Sequence, residues 1–403
     1  MRKASFIPAA VSIFLGVAVL LTACGGGGSG TSGTESIYLA GNDGSHGYEL
    51  WSTDGSSAQM ATDIYTGTSG SSPSYLTTYG GNLYFQASDG SHGYELWAYD
   101  GSSAQMVTDI YTGTSGSSPV YLTTYGDNLY FQASDGSHGA ELWAYDGSSA
   151  QMVTDIYTGS AGSYPSYLTT YGGNLYFQAS DGSHGYELWA YDGSSAYMVT
   201  DIFPGPDGSY PSYLTIYSGK LYFQAYNNLH GVALWAYDDS SAYMTNITEG
   251  SSWPSYLTTY GGNLYFQAID SSHGYELWTY DGSSAYMVTD IFPGPSPSDS
   301  APLYLTAYNG NLYFRAYDGS HGAELWAYDG SSAYMVTDIN PGSGSSGPSG
   351  TNYYPYRFLE VNGKLIFGAD NGTDHYQAYV LDGSTVEMLG GSPINTSGDF
   401  WSQ

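Results

Sequence analysis

The segment Asp89-Gly-Ser-His-Gly-Tyr-Glu-Leu-Trp-Ala-Tyr-Asp-Gly-Ser-Ser103 recurs with small changes along the whole chain. Residues 75–104 are repeated without any change at 167–196. The tryptophan of the segment marks each copy, at Trp51, Trp97, Trp143, Trp189, Trp235, Trp278 and Trp326, and Tyr379 takes its place in the last one. These steps of 43 to 53 residues predict a repeat architecture rather than an ordinary globular core.

Each copy contains four short runs of the kind that forms β-strands. In the second copy they are Tyr75–Tyr79, Leu83–Ala87, Tyr94–Tyr99 and Gln105–Ile110, and Gly-rich or Asp-Gly turns separate them. Aromatic and β-branched residues between such turns are strong hairpin signals. Four strands in about 45 residues are typical of one β-propeller blade. We therefore predict an all-β chain, a β-propeller of about eight four-stranded blades.

Closure of the ring is the first open question. The first copy begins at Ile37 and lacks a first strand, so we expect the tail, around Ile394 or at Phe400-Trp401, to supply it. A ring closed by strands from both chain ends leaves no sheet edge exposed. A ring of seven blades and an open solenoid remain alternatives.

The N-terminus has the order of a secretion signal. A basic start, Met1-Arg-Lys3, precedes an apolar run from Phe6 to Leu21 and then Leu21-Thr-Ala-Cys24. This ending resembles the lipobox of bacterial lipoproteins. The resemblance implies a signal peptide at 1–23, a lipid on Cys24, and a lipoprotein held in the cell envelope. By the same resemblance, a Gly directly after the lipidated cysteine, here Gly25, favours sorting of the lipoprotein to the outer membrane or the cell surface. Residues 24–36 then form a flexible tether, and 37–403 form the propeller.

The composition is strongly acidic. The sequence has 6 Lys and Arg against 37 Asp and Glu, with a net charge of −31. Such a surface repels phosphate backbones, which excludes nucleic acid as a partner. The membrane is therefore expected as a partner through the lipid alone, and the propeller is expected to be a monomer.

The repeat resembles the ELWxxDGT repeat of secreted bacterial proteins. The match rests on Asp89–Trp97, on the Tyr99-Asp-Gly turn and on Asp338-Ile-Asn-Pro-Gly, and it covers about residues 37 to 390. It implies a propeller at the cell surface with no established activity. This chain departs from the pattern after Asp-Gly, where Ser-Ser-Ala replaces a Thr-containing segment.

Histidine occurs once in each copy, and in most copies an Asp lies three residues before it and a Glu three residues after it. The residues are His46, His92, His138, His184, His230, His273, His321 and His375. A metal site needs several converging donors, which this spacing does not provide. We predict turn histidines bonded within their own hairpin, no metal site and no cofactor. Weak calcium binding at the turns stays open. The mid-strand glutamates are expected to accept hydrogen bonds that tie blades together.

Catalysis is not predicted. A group present in nearly every blade has one task per blade, whereas an active site needs an asymmetric set. Such a set would have to form where the repeat breaks, for example at Asn228, Asp239, Arg315 and Arg357. An extracellular hydrolase or lyase using an acidic channel would require these residues to share one cleft.

Aromatic residues in the connections between blades are the ligand-binding candidates. They are Tyr111, Tyr157, Phe203, Tyr210, Trp253 and Phe292. Exposed rings stack on sugars or grip a protein, so we expect a non-catalytic binding module for a polysaccharide or a surface protein. If these rings only cover the next blade, the alternative is a structural surface or matrix protein.

Overall fold

The computed structural model describes residues 12–14, 36–245, 252–294, 299–346, 358–373 and 376–389. These residues form eight antiparallel sheets of four strands each, arranged in a ring. The predicted eight-bladed β-propeller is confirmed. No helix within the described part of the chain is long and apolar enough to cross a membrane.

The strands follow one another in chain order, four to a blade. Blades 1 and 2 contain β1 Ser12–Phe14, β2 Ile37–Asn42, β3 Tyr48–Thr53, β4 Ala58–Thr62, β5 Ser74–Tyr79, β6 Asn82–Ser88, β7 Tyr94–Tyr99 and β8 Ala104–Thr108. Blades 3 and 4 contain β9 Val120–Tyr125, β10 Asn128–Ser134, β11 Ala140–Tyr145, β12 Ala150–Thr154, β13 Ser166–Tyr171, β14 Asn174–Ser180, β15 Tyr186–Tyr191 and β16 Ala196–Thr200.

The second half of the ring repeats this order. Blades 5 and 6 contain β17 Ser212–Tyr217, β18 Lys220–Asn227, β19 Gly231–Tyr237, β20 Ala242–Met244, β21 Ser255–Tyr260, β22 Asn263–Asp270, β23 Gly274–Tyr280 and β24 Ala285–Thr289. Blades 7 and 8 contain β25 Leu303–Tyr308, β26 Asn311–Tyr317, β27 Ala323–Tyr328, β28 Ala333–Thr337, β29 Leu359–Val361, β30 Lys364–Asp370, β31 Tyr376–Asp382 and β32 Thr385–Met388.

The hydrophobic core lies between the blades. In blade 2, Phe85 of β6 lies opposite Trp97 of β7, and both side chains are buried. They pack against Leu50 of blade 1, while Tyr84 on the other face packs toward Phe131 of blade 3. Bulky residues on both faces of a strand thus serve two interfaces, and Trp97, one of the repeated tryptophans, lies in the core between blades.

Two faces of the ring can be distinguished by their turns. The hairpin face carries the turns between the first and second strands and between the third and fourth, such as Gly80-Gly81 and Asp100-Gly101. The connection face carries the Asp-Gly-Ser-His turns, such as 89–93, and the connections between blades, such as 109–119. The first strands of neighbouring blades contact one another, so they form the inner edge of the ring.

The first strand of blade 1 comes from an unexpected segment. The structure places Ser12–Phe14 beside β2, inside the predicted signal peptide. The tail at Ile394 and Phe400-Trp401, where we expected this strand, lies outside the described residues. The open backbone edge of β2 accepts any extended segment that reaches it, which is why side-chain pattern alone did not identify the strand.

Candidate functional site

A row of tyrosines surrounds the axis of the propeller. Each of blades 2 to 7 contributes one tyrosine, which lies near the start of its first strand: Tyr75, Tyr121, Tyr167, Tyr213, Tyr256 and Tyr304. Successive rings contact each other, with centroids 5.0 to 5.9 Å apart. Because the first strands are the innermost ones, these axial tyrosines line the centre of the ring.

The axial tyrosines share a strained backbone. Their φ angles lie between 54° and 61°, the left-handed region that side-chain-bearing residues avoid. In blade 2 the pairing of β5 with β6 shifts register between Ser74 and Thr77, so Tyr75 occupies a bulge. A residue in this conformation costs on the order of 1–3 kcal/mol, and such strain collects at functional sites.

The axial phenols stay uncharged at neutral pH. Burial raises the pKa of Tyr121 above the ordinary phenol value, and the neighbouring Tyr75 and Tyr167 raise it further. Burial also raises the pKa of Tyr213, with Tyr256 acting in the same direction, and that of Tyr256, where Tyr304 raises it further and a hydrogen bond with Tyr213 lowers it. The centre of the ring therefore offers aromatic surface and neutral hydroxyls.

Three residues before each axial tyrosine, the connection holds a second left-handed residue. These positions are Ser72, Ser118, Tyr164, Tyr210, Trp253 and Ala301, with φ between 43° and 53°. The small residues flank three consecutive aromatic ones, Tyr164, Tyr210 and Trp253, whose exposed fractions are 50%, 52% and 47%. We call these three the aromatic arc. It lies at the mouth of the axis on the connection face.

The backbone presents the arc rigidly. The N–H of Tyr164 donates to Ala140 O at 3.0 Å, and that of Tyr210 donates to Tyr186 O at 3.0 Å. The N–H of Trp253 donates to Val232 O at 3.2 Å. Each aromatic residue of the arc is therefore tied to the third strand of the preceding blade, and its ring projects outward from a defined point.

Buried glutamates hold two of these connections. Glu187 accepts hydrogen bonds from Ser209 N, Ser209 Oγ, Ile202 N and Phe203 N at 2.6 to 3.2 Å, and Glu141 binds Ser163 N at 2.8 Å. Burial raises the pKa of Glu187 to about 7, although these four donors act in the opposite direction. The predicted structural role of the mid-strand glutamates as ties between blades is confirmed here. Blade 5 has Ala233 at this position and forms without the tie.

Four of the six predicted ligand-binding aromatics cover the next blade instead of facing solvent. The rings of Tyr111, Tyr157 and Phe292 lie directly over Gly136, Gly182 and Gly319, so that a Cβ on any of these glycines would overlap the ring. Phe203 contacts Tyr226 with ring centroids 5.1 Å apart. Tyr210 and Trp253 remain exposed. Tyr164 was missed, although it occupies the same repeat position as these two.

The histidines pair within their own turns. Nδ1 of six of them lies 2.7 to 2.9 Å from the Asp three residues earlier, in His46, His92, His138, His184, His273 and His321. The bond to Asp89 raises the pKa of His92. Burial acts to raise the pKa of the Asp89 carboxyl, but hydrogen bonds from Ser91 and His92 outweigh it, so that this pKa is lowered. At His230 the residue three positions earlier is Asn227, whose side-chain oxygen accepts a hydrogen bond from the backbone N–H of His230. His375 lies outside the described residues.

Metal chemistry has no evident centre in the described ranges. These residues contain no group of three or more His, Cys, Asp or Glu side chains that could hold a metal ion. Calcium binding at the turns stays an untested prediction.

The residues proposed for an alternative catalytic site do not meet. Asn228 lies in a turn on the connection face, whereas Asp239 lies beside Gly172 on the hairpin face. Arg315 sits within β26, opposite Leu325, and Arg357 lies outside the described residues. The three described residues therefore share no cleft.

A concavity lies on the hairpin face. It encloses about 670 Å³ and is lined by residues of blades 6 to 8, including Tyr260, Tyr286, Asn309 and Glu360. Tyr260 Oη donates to Gly310 O at 2.8 Å. This phenol is thus used to join two blades.

The fold and the axial site define the class of this protein as an eight-bladed β-propeller. No protein-family model matches the chain, and no curated protein sequence matches it. Solved structures with a similar fold include prolyl endopeptidases, with a TM-score of 0.55 and 10% identity, covering 81% of this chain and 50% of theirs. A puromycin-hydrolysing peptidase of Mycobacterium tuberculosis has a TM-score of 0.49 and 12% identity, covering 79% and 53%.

These comparisons correct the predicted function. The chain spans about half the length of the first of these structures, and the identity is so low that the likeness shows the fold alone. We predicted a non-catalytic module that binds carbohydrate or a surface protein. That prediction is wrong, because the solved propellers that this chain resembles belong to peptidases.

Proposed function

We propose that this chain is a peptidase-related propeller whose axial opening admits extended peptides, while the groups that cleave the peptide belong to another domain or chain. The axial tyrosines are the observation that carries this function. Neutral phenols and aromatic faces bind peptide backbone and apolar side chains together, and the axial tyrosines of six successive blades contact one another around the axis.

The distribution of side chains supports placing the groups that cleave the peptide on another domain or chain. The carboxylates and imidazoles with perturbed pKa values are repeated blade after blade and are engaged in turns and ties, as Asp89, His92 and Glu187 are. A catalytic set needs a base, a nucleophile and a charge stabiliser in one place. The repeat instead supports a scaffold around a common axis.

Peptide binding by the unlipidated full chain tests this function. The protein carries Cys24→Ala and is titrated with a fluorescent, neutral, unstructured peptide of about ten residues, which spans roughly 33 Å when extended. We expect saturable binding and no cleavage products by mass spectrometry. Tyr213→Gly should weaken binding at least about 5-fold, since it removes an axial ring and relieves the left-handed strain.

The control is Ser218→Gly. Ser218 also has a left-handed backbone, with φ of 47°, but it lies in a turn on the hairpin face. It should leave peptide affinity unchanged. Absence of peptide binding, or hydrolysis by the chain alone, would overturn the proposed function.

We also propose that the chain is a lipoprotein of the cell envelope, anchored through Cys24. The support is the order Leu21-Thr-Ala-Cys24 after an apolar run. Cleavage before Cys24 removes β1 and leaves β2 as the inner edge of blade 1. Metabolic labelling with an alkyne-tagged fatty acid should mark the chain in bacterial cells and not its Cys24→Ala variant. Equal labelling of both contradicts the anchor.

A further inference from the structure

On the connection face, neighbouring copies of the repeat differ at one and the same position. Six connections place a left-handed residue at the same point, and that residue is small in blades flanking the arc and aromatic in three successive connections. All six connections keep the backbone bond from this residue to the preceding blade. Because the small residues make the same bond, the aromatic side chains are not required for the fold and mark a local function.

Tyr210 of the arc packs on a further tyrosine, Tyr186. The rings of Tyr210 and Tyr186 have centroids 5.3 Å apart and planes inclined by 35°. Burial raises the pKa of Tyr186, and the phenols of both Tyr164 and Tyr210 raise it further. Tyr186 thus extends the exposed ring of Tyr210 into a larger aromatic surface.

An exposed carboxylate lies near the arc, on a face that also carries the turn histidines paired with their aspartates. Asp207 is exposed and lies three residues before Tyr210, where the equivalent positions hold Ser69, Ser115 and Ala161. Among the described residues the cations are Lys220, Arg315 and Lys364. Lys220 and Lys364 each begin a second strand on the hairpin face, and Arg315 lies within a strand. The connection face thus combines exposed rings with carboxylates.

We propose that the aromatic arc of Tyr164, Tyr210 and Trp253 is a recognition site for arginine- or lysine-bearing segments of extended peptides. A guanidinium or ammonium group packs on the face of an exposed aromatic ring, and Asp207 and the acidic turns supply complementary charge. Each member of the arc lies three residues before an axial tyrosine, Tyr167, Tyr213 or Tyr256, so a peptide held at the arc is bound on the connection face, where the chain enters the first strands. This inference rests on the proposed function and names the class of peptide.

The repeat itself supplies the variants for the test. Serine occupies the equivalent position at Ser72 and Ser118 with the same backbone conformation, so Tyr164→Ser, Tyr210→Ser and Trp253→Ser should fold normally. None of them changes the net charge. Any loss of affinity therefore reports the rings and not the overall acidity. The reverse change, Ser118→Tyr, in the connection that precedes the arc, serves as a matched control.

Two peptides of about ten residues are compared at low and at physiological salt, one with three arginines and one with citrulline in their place. With the full-length Cys24→Ala protein, we expect the arginine peptide to bind more tightly. Each serine substitution should weaken its binding by about 2- to 5-fold, and the triple variant by about 10-fold or more. The citrulline peptide should respond little to the same changes.

The outcomes separate the two proposals. Equal affinity of the arginine peptide for the parent and the triple serine variant overturns the role of the arc, even if Tyr213→Gly still weakens both peptides and upholds the axial function. Failure of both peptides to bind overturns both. An equal loss for arginine and citrulline peptides also overturns recognition of cations, since the rings would then act as general apolar contacts.

Discussion

Asn362 Nδ2 donates a hydrogen bond to the carbonyl oxygen of Asp54 at 3.0 Å, although 308 residues separate them in the chain. The bond joins the first turn of blade 8 to blade 1. Lys364 Nζ reaches Gly55 O at 3.4 Å beside it, and the core of blade 8 packs against Ile37 and Leu39. The ring is thus closed by blade-on-blade packing between the two ends of the repeat.

Removal of the Asn362 side chain should weaken this closure. Asn362 has φ of 48°, so Asn362→Gly deletes the amide without adding backbone strain. We expect the free energy of unfolding to fall by about 0.5–1.5 kcal/mol, the contribution of one hydrogen bond. Denaturant titration followed by tryptophan fluorescence measures it. Asn309→Gly, at the equivalent turn of blade 7 with φ of 45°, is the control, and an equal loss there contradicts a special role in closure.

Substitution of Glu187 should loosen the connection that carries Tyr210. Glu187→Gln puts an amide NH₂ where backbone and hydroxyl donors point, so we expect a loss of about 1–3 kcal/mol in the free energy of unfolding. Hydrogen exchange of Ile202 and Ser209 amides should accelerate. Glu360→Gln changes an exposed carboxyl and should have little effect. Unchanged exchange in the Glu187 variant would show that the tie is dispensable, as it is in blade 5.

A methyl group on Gly136 should disturb the packing of Tyr111. Gly136 has φ of 80°, and Gly136→Ala adds both strain and overlap with the ring. Gly147→Ala has a similar φ of 95° but meets an atom no nearer than Tyr79 Oη at 3.6 Å, so it measures strain alone, about 1–2 kcal/mol. We expect Gly136→Ala to lower the free energy of unfolding by at least about 1 kcal/mol more.

Adding Tyr111→Ala to Gly136→Ala should recover part of that loss, since the overlapping ring is gone. Thermal unfolding of the parent protein, Gly136→Ala, Gly147→Ala and the double variant provides the comparison. If Gly136→Ala and Gly147→Ala are equally destabilised, Tyr111 does not pack on Gly136 in solution and regains its place among the ligand-binding candidates.

The propeller should be most stable in weak acid. Burial raises the pKa of Glu187, Glu276 and Glu324 to about 7, so their contribution is complete below the unfolded value of about 4.5 and is lost as the pH rises to about 7. The histidines paired with Asp, whose pKa is raised, lose their contribution above about pH 6.5. The turn aspartates, whose pKa is lowered, lose theirs as the pH falls below about 3.8.

We therefore expect the melting temperature to peak near pH 4.5 and to fall toward pH 7.5. Circular dichroism melts across this range measure it. Repeating them at about 0.5 M salt screens the repulsion within a chain of net charge −31 but leaves the buried carboxyls unaffected. A melting temperature that rises steadily to neutral pH is the result that contradicts this assignment.

Much of the fold could be predicted because each blade repeats the same local rules. Turn residues at constant spacing define four strands, and residues such as Phe85 and Trp97 are bulky in every copy, which places them in the core. The pairing of His92 with Asp89 and the tie made by Glu187 were also predicted. Short-range spacing decides these features, since their partners lie within one blade or its connection.

The parts of the site that depend on the ring could not be predicted in the same way. Tyr111 and Tyr210 are both aromatic and both lie in connections, yet one packs on a glycine of the next blade and the other is exposed. Sequence cannot separate them, because exposure depends on how far a neighbouring blade is rotated. Tyr164 was overlooked for the same reason.

The amino-acid sequence was sufficient to predict four-stranded blades, about eight in number, with their strand order, core positions and turn chemistry, because these follow from local propensity and a repeated hydrophobic pattern. The tertiary structure decided that the ring has eight blades. The tertiary structure was needed for the left-handed tyrosines at the axis, the strand taken from residues 12–14 and the aromatic arc at the mouth. Each of these arises where elements distant in the chain meet around one axis. Their geometry depends on closure of the ring, and no single blade contains that information.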